Sequence, residues 1–99
     1  MKYRLAARAE DEAERIARWW RDNRPAAPDL FLTELDETME LVTTAPEIGE
    51  LFGSLEQLAV HRVLLERTRF YAYYVIEEDV VVIGIWSALR GRPPRLSRR

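Results

Sequence analysis

Between Arg62 and Ser87 the chain passes through three strand-forming stretches with almost nothing between them. RVLLE (62–66), FYAYYVIE (70–77) and VVVIGIWS (80–87) are separated only by Arg67, Thr68 and Arg69, and then by Glu78 and Asp79. Gaps that short make hairpins and cannot hold the crossover that parallel neighbours need, so the three strands lie antiparallel as a meander. Val80 to Trp86 is β-branched or aromatic apart from Gly84, which suits a pleated, half-buried surface. Gly84 weakens its strand and marks a bulge or the close approach of another backbone. Past Ser87 the chain turns basic, with Arg90, Arg92 and Arg95 before the final Arg98 and Arg99.

The rest of the chain must cover that sheet. Tyr3 to Ala7 alternates and reads as a short strand. From Ala9 the period changes: Ala9, Ala13, Ile16, Ala17 and Trp20 fall on one helical face, with Glu10, Asp11 and Glu12 in the first turn, where the helix dipole favours negative charge. Pro25 ends this helix near Asn23 and Arg24. Asp29 is placed to cap a second helix, in which Phe31 or Leu32, Leu35, Met39 and Val42 recur at three- and four-residue steps before Pro46. The acids Glu34, Asp36, Glu37 and Glu40 lie between them. A connection as short as Arg24 to Pro28 makes the two helices an antiparallel hairpin. Pro46 to Gly53 reads as a loop from which Leu51 and Phe52 dip inward, and Ser54 to Val60 reads either as a helical turn or as the lead-in to a strand. Trp19 stands off the main stripe and is assigned to the Leu51–Phe52 loop or to a second copy of the chain. The expected architecture is α+β: an N-terminal strand, an antiparallel helical hairpin, then a three-stranded antiparallel β-meander, with the helices on one sheet face.

The second sheet face presents a problem. Phe70, Ala72, Tyr74 and Ile76 point one way, and Tyr71, Tyr73 and Val75 the other. In the last strand Val80, Val82, Gly84 and Trp86 oppose Val81, Ile83 and Ile85. A sheet with one face in water is polar there. This one exposes tyrosines and aliphatics instead, a patch that calls for a partner unless the C-terminal segment folds over it.

At 99 residues the chain implies one domain, residues 1–99, with 88–99 as a basic tail. It lacks cysteine, which rules out disulfides and thiolate metal sites; no metal or other cofactor is expected. The opening MKYRLAARAEDE turns acidic at once and no apolar run is long enough to span a membrane, so the expectation is a cytoplasmic protein without a membrane role. The net charge of −2 hides an asymmetry. Residues 1–60 carry seven basic and thirteen acidic side chains, and residues 61–99 carry eight arginines against four acids. That split places a basic working surface on an acidic body.

On three segments the chain resembles the RelE/ParE toxins of bacterial type II toxin–antitoxin modules. YRLAARAEDEAERIARWW is similar to the family's first strand and its alanine- and acid-rich helix. LFLTELDETMELVTTAPEI is similar to the second helix and the loop after it. RVLLERTRFYAYYVIEEDVVVIGIWSALRGRPP, the most specific part, is similar to the meander that closes in a short arginine motif. The resemblance is closer to ParE. It implies a small toxin held in a hetero-oligomer with a cognate antitoxin, whose extended region packs apolar residues and acids against it.

Two activities divide the family. RelE-type members cut messenger RNA on the ribosome, which needs cations at the scissile phosphate and groups that move protons. ParE-type members poison DNA gyrase by contact. For a nuclease the candidates are His61, Tyr71 and Tyr73 for proton transfer and Arg62, Arg67, Arg69 and Arg90 for phosphate. Arginine holds a phosphate well but is a poor base, and residues 87–99 hold no Tyr, His or Lys. The sequence therefore favours contact poisoning, with Arg62, Arg67, Arg69, Tyr71, Tyr73, Trp86, Arg90, Arg92 and Arg95 as the residues that meet target or antitoxin. A module that binds its antitoxin without being toxic is the remaining reading.

Overall fold

The computed structural model describes residues 1–97. Strand β1 (Tyr3–Leu5) leads into helix α1 (Ala7–Asn23), and a short connection leads to α2 (Leu30–Thr44). Strands β2 (Glu50–Leu55), β3 (Leu58–Leu65), β4 (Phe70–Ile76) and β5 (Val80–Ser87) follow. They form one five-stranded sheet in the order β1-β5-β4-β3-β2. Every pairing is antiparallel except β1 with β5, which is parallel and joins Tyr3, Arg4 and Leu5 to Val80, Val81 and Val82. The α+β class, the helical hairpin and the meander are as the sequence implied. Among the described residues, no helix is long and apolar enough to cross a membrane.

The meander has four strands where the sequence suggested three. Residues read as loop and as an ambiguous lead-in form the edge strand β2, a turn at Glu56 and Gln57, and the first half of β3. Both turn residues have positive φ, 50° and 70°, the conformation of the tight hairpin turn usually occupied by Asn-Gly. Neither residue type signals that turn, and a register shift between Leu51 and Gly53 breaks the strand's alternation. Leu51 does not dip inward; it is 67% exposed. Phe52 packs on Tyr73, with ring centroids 4.8 Å apart. Asp29 makes no side-chain capping bond at α2; its carbonyl accepts from Thr33 N–H instead.

One core lies between the helices and the sheet. Ala9, Ala13 and Ala17 let α1 lie close to β5, and Phe31, Leu35, Met39 and Val42 fill the space under α2. Tyr74 reaches out of this core to the loop after α2. Its hydroxyl donates to Pro46 O (2.7 Å) and accepts from Gly49 N–H (3.1 Å). Burial pushes this phenol above the ordinary tyrosine range, against the opposite effect of the Gly49 N–H. A Cβ on Gly49 would lie 2.9 Å from the Arg62 carbonyl oxygen, so the close approach demands glycine.

The second sheet face is not left open: of the two alternatives the sequence allowed, a partner or a cover from the chain itself, the chain supplies the cover. Val60, Tyr73, Val75, Val81 and Ile83 are buried there, covered by Ala6, Phe52, Leu55, Leu58 and Leu96. The β2–β3 hairpin supplies half of the cover, and the returning C-terminal segment supplies Leu96. A bulge on β5 between its pairings with Tyr73 and Tyr74 changes the phase of the strand. Before it, Val80 and Val82 face the helices; after it, Ile85 does so too, although strict alternation set Ile85 against them. Gly84 then lies beneath Leu96, whose Cδ2 is 2.7 Å from where a Cβ on residue 84 would be.

At the other end of the molecule, Tyr3 donates its phenol proton to Asp36 Oδ1 (2.6 Å), tying β1 to α2. Burial, then the Asp36 bond, raises the Tyr3 pKa well above that of a free tyrosine. A phenol whose folded pKa is raised contributes stability that is complete below its unfolded pKa of about 10 and is lost as pH climbs past that value. Tyr3→Phe is therefore expected to be less stable than the parent by about 0.5–1.5 kcal/mol near neutral pH. The gap is expected to close above a pH of about 10, as measured by urea unfolding across that range.

Candidate functional site

Two buried carboxylates set the geometry of a concavity beside α1. The pairing of β1 with β5 stops at Val82, and the Ile85 N–H beyond it has no strand to bond. Glu12 of α1 fills the gap: its Oε1 accepts from Ile85 N–H at 2.9 Å, and its Oε2 sits 3.5 Å from Arg8 Nε. Glu34 of α2 does the same for the β3–β4 turn. Its two oxygens accept from Arg67 N–H (2.7 Å), Thr68 N–H (2.9 Å) and Thr68 Oγ1–H (2.8 Å). An ionised carboxylate can be buried when its lone pairs are satisfied in this way.

Between these anchors lies an open groove of ≈ 1400 Å³, bounded by α1, the β3–β4 turn and the end of β5. Arg15, Trp19 and Trp20 line it from α1 and Arg24 from just past its end, Arg67 and Arg69 from the turn, and Trp86 and Arg90 from the far end. Arg69 adopts a positive φ of 66° and is held by two backbone bonds, its N–H to Leu65 O and its carbonyl to Ala88 N–H, both 2.8 Å. The aromatic rings carry cations. The Arg24 guanidinium is 5.3 Å from the Trp19 ring centre and 6.0 Å from that of Trp20, and Arg90 is 4.4 Å from that of Trp86. Trp86 also donates its indole N–H to Arg92 O (2.9 Å), which pins the start of the tail.

The tyrosine and arginine candidates on β3 and β4 lie elsewhere, on the second sheet face. The Arg62 guanidinium sits 4.1 Å from the Tyr71 ring centre and 5.5 Å from that of Phe52, and its Nε donates to Glu50. Burial works against the Arg62 charge, but hydrogen bonds to Tyr73 and Glu50 outweigh it and raise its pKa. Tyr71 and Tyr73 are neighbours there, 6.1 Å between ring centres. His61 is on the opposite face. It pairs across β3–β4 with Tyr74 and stacks on that ring at 5.5 Å and 18°. Its buried Nδ1 has no hydrogen-bond partner among the described residues.

The sequence candidates therefore divide into separate places. Arg62, Tyr71 and Tyr73 come together; Arg67, Arg69, Trp86 and Arg90 come together in the groove; His61 joins neither set. Arg92 and Arg95 are exposed on the C-terminal segment, and Arg98 and Arg99 lie outside the described residues. Trp19 lines the groove beside Trp20 rather than meeting Leu51 and Phe52. Sequence reasoning missed Arg15 and Arg24 as groove residues, and it missed Glu12 and Glu34 as its anchors. The carboxylates left a signal: Glu12 lies three residues after Ala9 and four before Ile16, and Glu34 three after Phe31, so both stand on their helix's apolar stripe.

Residues 3–91 match the family described as ParE toxin of type II toxin-antitoxin system, parDE. No curated protein matches the chain.

Glu34→Gln keeps the shape of the side chain but turns an NH₂ toward donors that need an acceptor. It is expected to cost about 1–3 kcal/mol and to lower the thermal midpoint by several degrees. Hydrogen exchange is expected to quicken at the Arg67 and Thr68 amides in particular.

Proposed function

The chain belongs to the ParE toxin family of type II toxin–antitoxin systems, and from that premise we propose that it poisons DNA gyrase by direct contact and is neutralised by a cognate antitoxin bound to it as a hetero-oligomer. The observation that favours contact over messenger cleavage is the division of adjacent residues His61 and Arg62 between opposite sheet faces. Cutting RNA needs a cation at the scissile phosphate and proton-transfer groups around the same atoms. The only histidine is instead stacked on Tyr74 under the helix side of the sheet. Arg62 is committed to Glu50 and to the Tyr71 ring on the other side.

The contact surface proposed for gyrase is the C-terminal segment. Leu89 is 80% exposed, and Arg90, Arg92 and Arg95 are exposed around it. The segment does not hang free, because Trp86 holds Arg92 by its carbonyl and Arg90 by its ring. A surface held in place before binding loses less conformational freedom on docking.

Inducing the chain without an antitoxin in bacterial cells, with pulse labelling of DNA and protein synthesis, tests this. DNA synthesis is expected to stop first while translation continues. Translation failing first, with cut messages, would establish the RelE-type nuclease instead, and no growth defect would leave an antitoxin-binding module. With purified gyrase, Arg90→Ala combined with Arg92→Ala is expected to raise the half-inhibitory concentration by about tenfold or more, the effect of about 1.4 kcal/mol of contact. His61→Ala is expected to inhibit as the parent does.

A further inference from the structure

The groove under α1 carries a different chemistry from the tail. Arg15, Arg24, Arg67, Arg69 and Arg90 bring five guanidiniums to it from three parts of the chain. Of the three carboxylates on its wall, Glu12 is already engaged by Ile85 N–H and Arg8. The concavity is thus locally cationic in a chain of net charge −2. Trp19 leaves 47% of its surface to solvent there, and the buried indole N–H of Trp20 in the same wall has no partner among the described residues.

An extended peptide adding to the sheet is a poor occupant. Strand addition needs free backbone groups along the edge. Two backbone donors on this side are already taken, Ile85 N–H by Glu12 and Ala88 N–H by Arg69 O. What the groove offers is side chains: guanidiniums interleaved with indole rings. That combination follows a phosphate backbone and stacks bases whatever their sequence, because every base has a π-face.

We propose that this groove binds a single strand of DNA, with phosphates against Arg15, Arg67 and Arg69 and a base against Trp19. The choice of DNA over RNA rests on the gyrase reading, because the substrate of that enzyme is DNA. The groove lies beside the Arg90 end of the tail, so one bound toxin presents both surfaces at once.

The test is titration of the full chain with a labelled oligodeoxythymidine of about 12 nucleotides, read by anisotropy and by quenching of tryptophan fluorescence. Saturable, quenching binding is expected, weakening with salt at a log–log slope of about 2–3. Trp19→Ala and the double variant Arg67→Ala, Arg69→Ala are each expected to weaken it about tenfold. Leu41→Ser, exposed on α2, is expected to leave it unchanged, and circular dichroism confirms that each variant is folded. No binding, unaltered binding by Trp19→Ala, or tighter binding of oligouridylate or a polyglutamate peptide overturns the proposal. Supercoiling assays on the same samples separate the two readings. Gyrase inhibition without oligonucleotide binding sinks the groove alone; oligonucleotide binding without gyrase inhibition leaves the groove standing and sinks the gyrase contact.

Discussion

Two glutamates turned inward hold this fold together. Inside a protein, a backbone N–H that leaves its ladder needs an acceptor. Here it happens twice: at Ile85, where β1 has run out, and at Arg67 and Thr68, where the chain turns between β3 and β4. Each time a helix answers with a carboxylate. Those bonds do more than satisfy donors, because each ties one helix to one strand end at a fixed height. α1 is thereby set against β5 with Trp19, Trp20 and Arg15 facing the turn, and the turn is set with Arg67 and Arg69 at the opposite lip. The groove exists because both anchors hold.

The sheet separates chemistry that the sequence places side by side. Tyr73 and Tyr74 are neighbours, yet one packs on Phe52 under the tail while the other bonds the loop after α2. His61 and Arg62 divide in the same way. The period of two in a strand turns a dense run of candidates such as FYAYY into two half-populated surfaces. On one of them the tyrosines are mostly spent on packing, leaving the arginine–tryptophan groove and the tail as the surfaces free to meet other molecules.

The meander and the helical hairpin were legible because their signals are local: short gaps, β-branched runs, and apolar residues at helical steps. β2 was not, because its turn uses Glu56 and Gln57 in place of the residues that usually permit positive φ, and because its exposed, irregular register gives no alternation. The phase of β5 was lost for a related reason. Gly84 announced a bulge, but not which residues would change sides, and that decided where Ile85 went. The covering of the second face depended on contacts between residues far apart, such as Leu96 over Gly84, which no local pattern carries. Of the site, Arg67, Arg69, Trp86 and Arg90 were found by type and position. Their assembly with α1 was invisible until Glu12 and Glu34 were seen to be buried.

The parallel seam between β1 and β5 joins residues from opposite ends of the chain. Tyr3 to Leu5 have no strand partner until Val80 to Val82 exist, and the face beneath Leu96 is not fully covered until Leu96 is made. A chain growing from β1 toward β5 therefore carries an orphan strand until the last strand of the sheet is made. Closure is a late event with a large loop to bring together, and the order of folding runs against the order of translation.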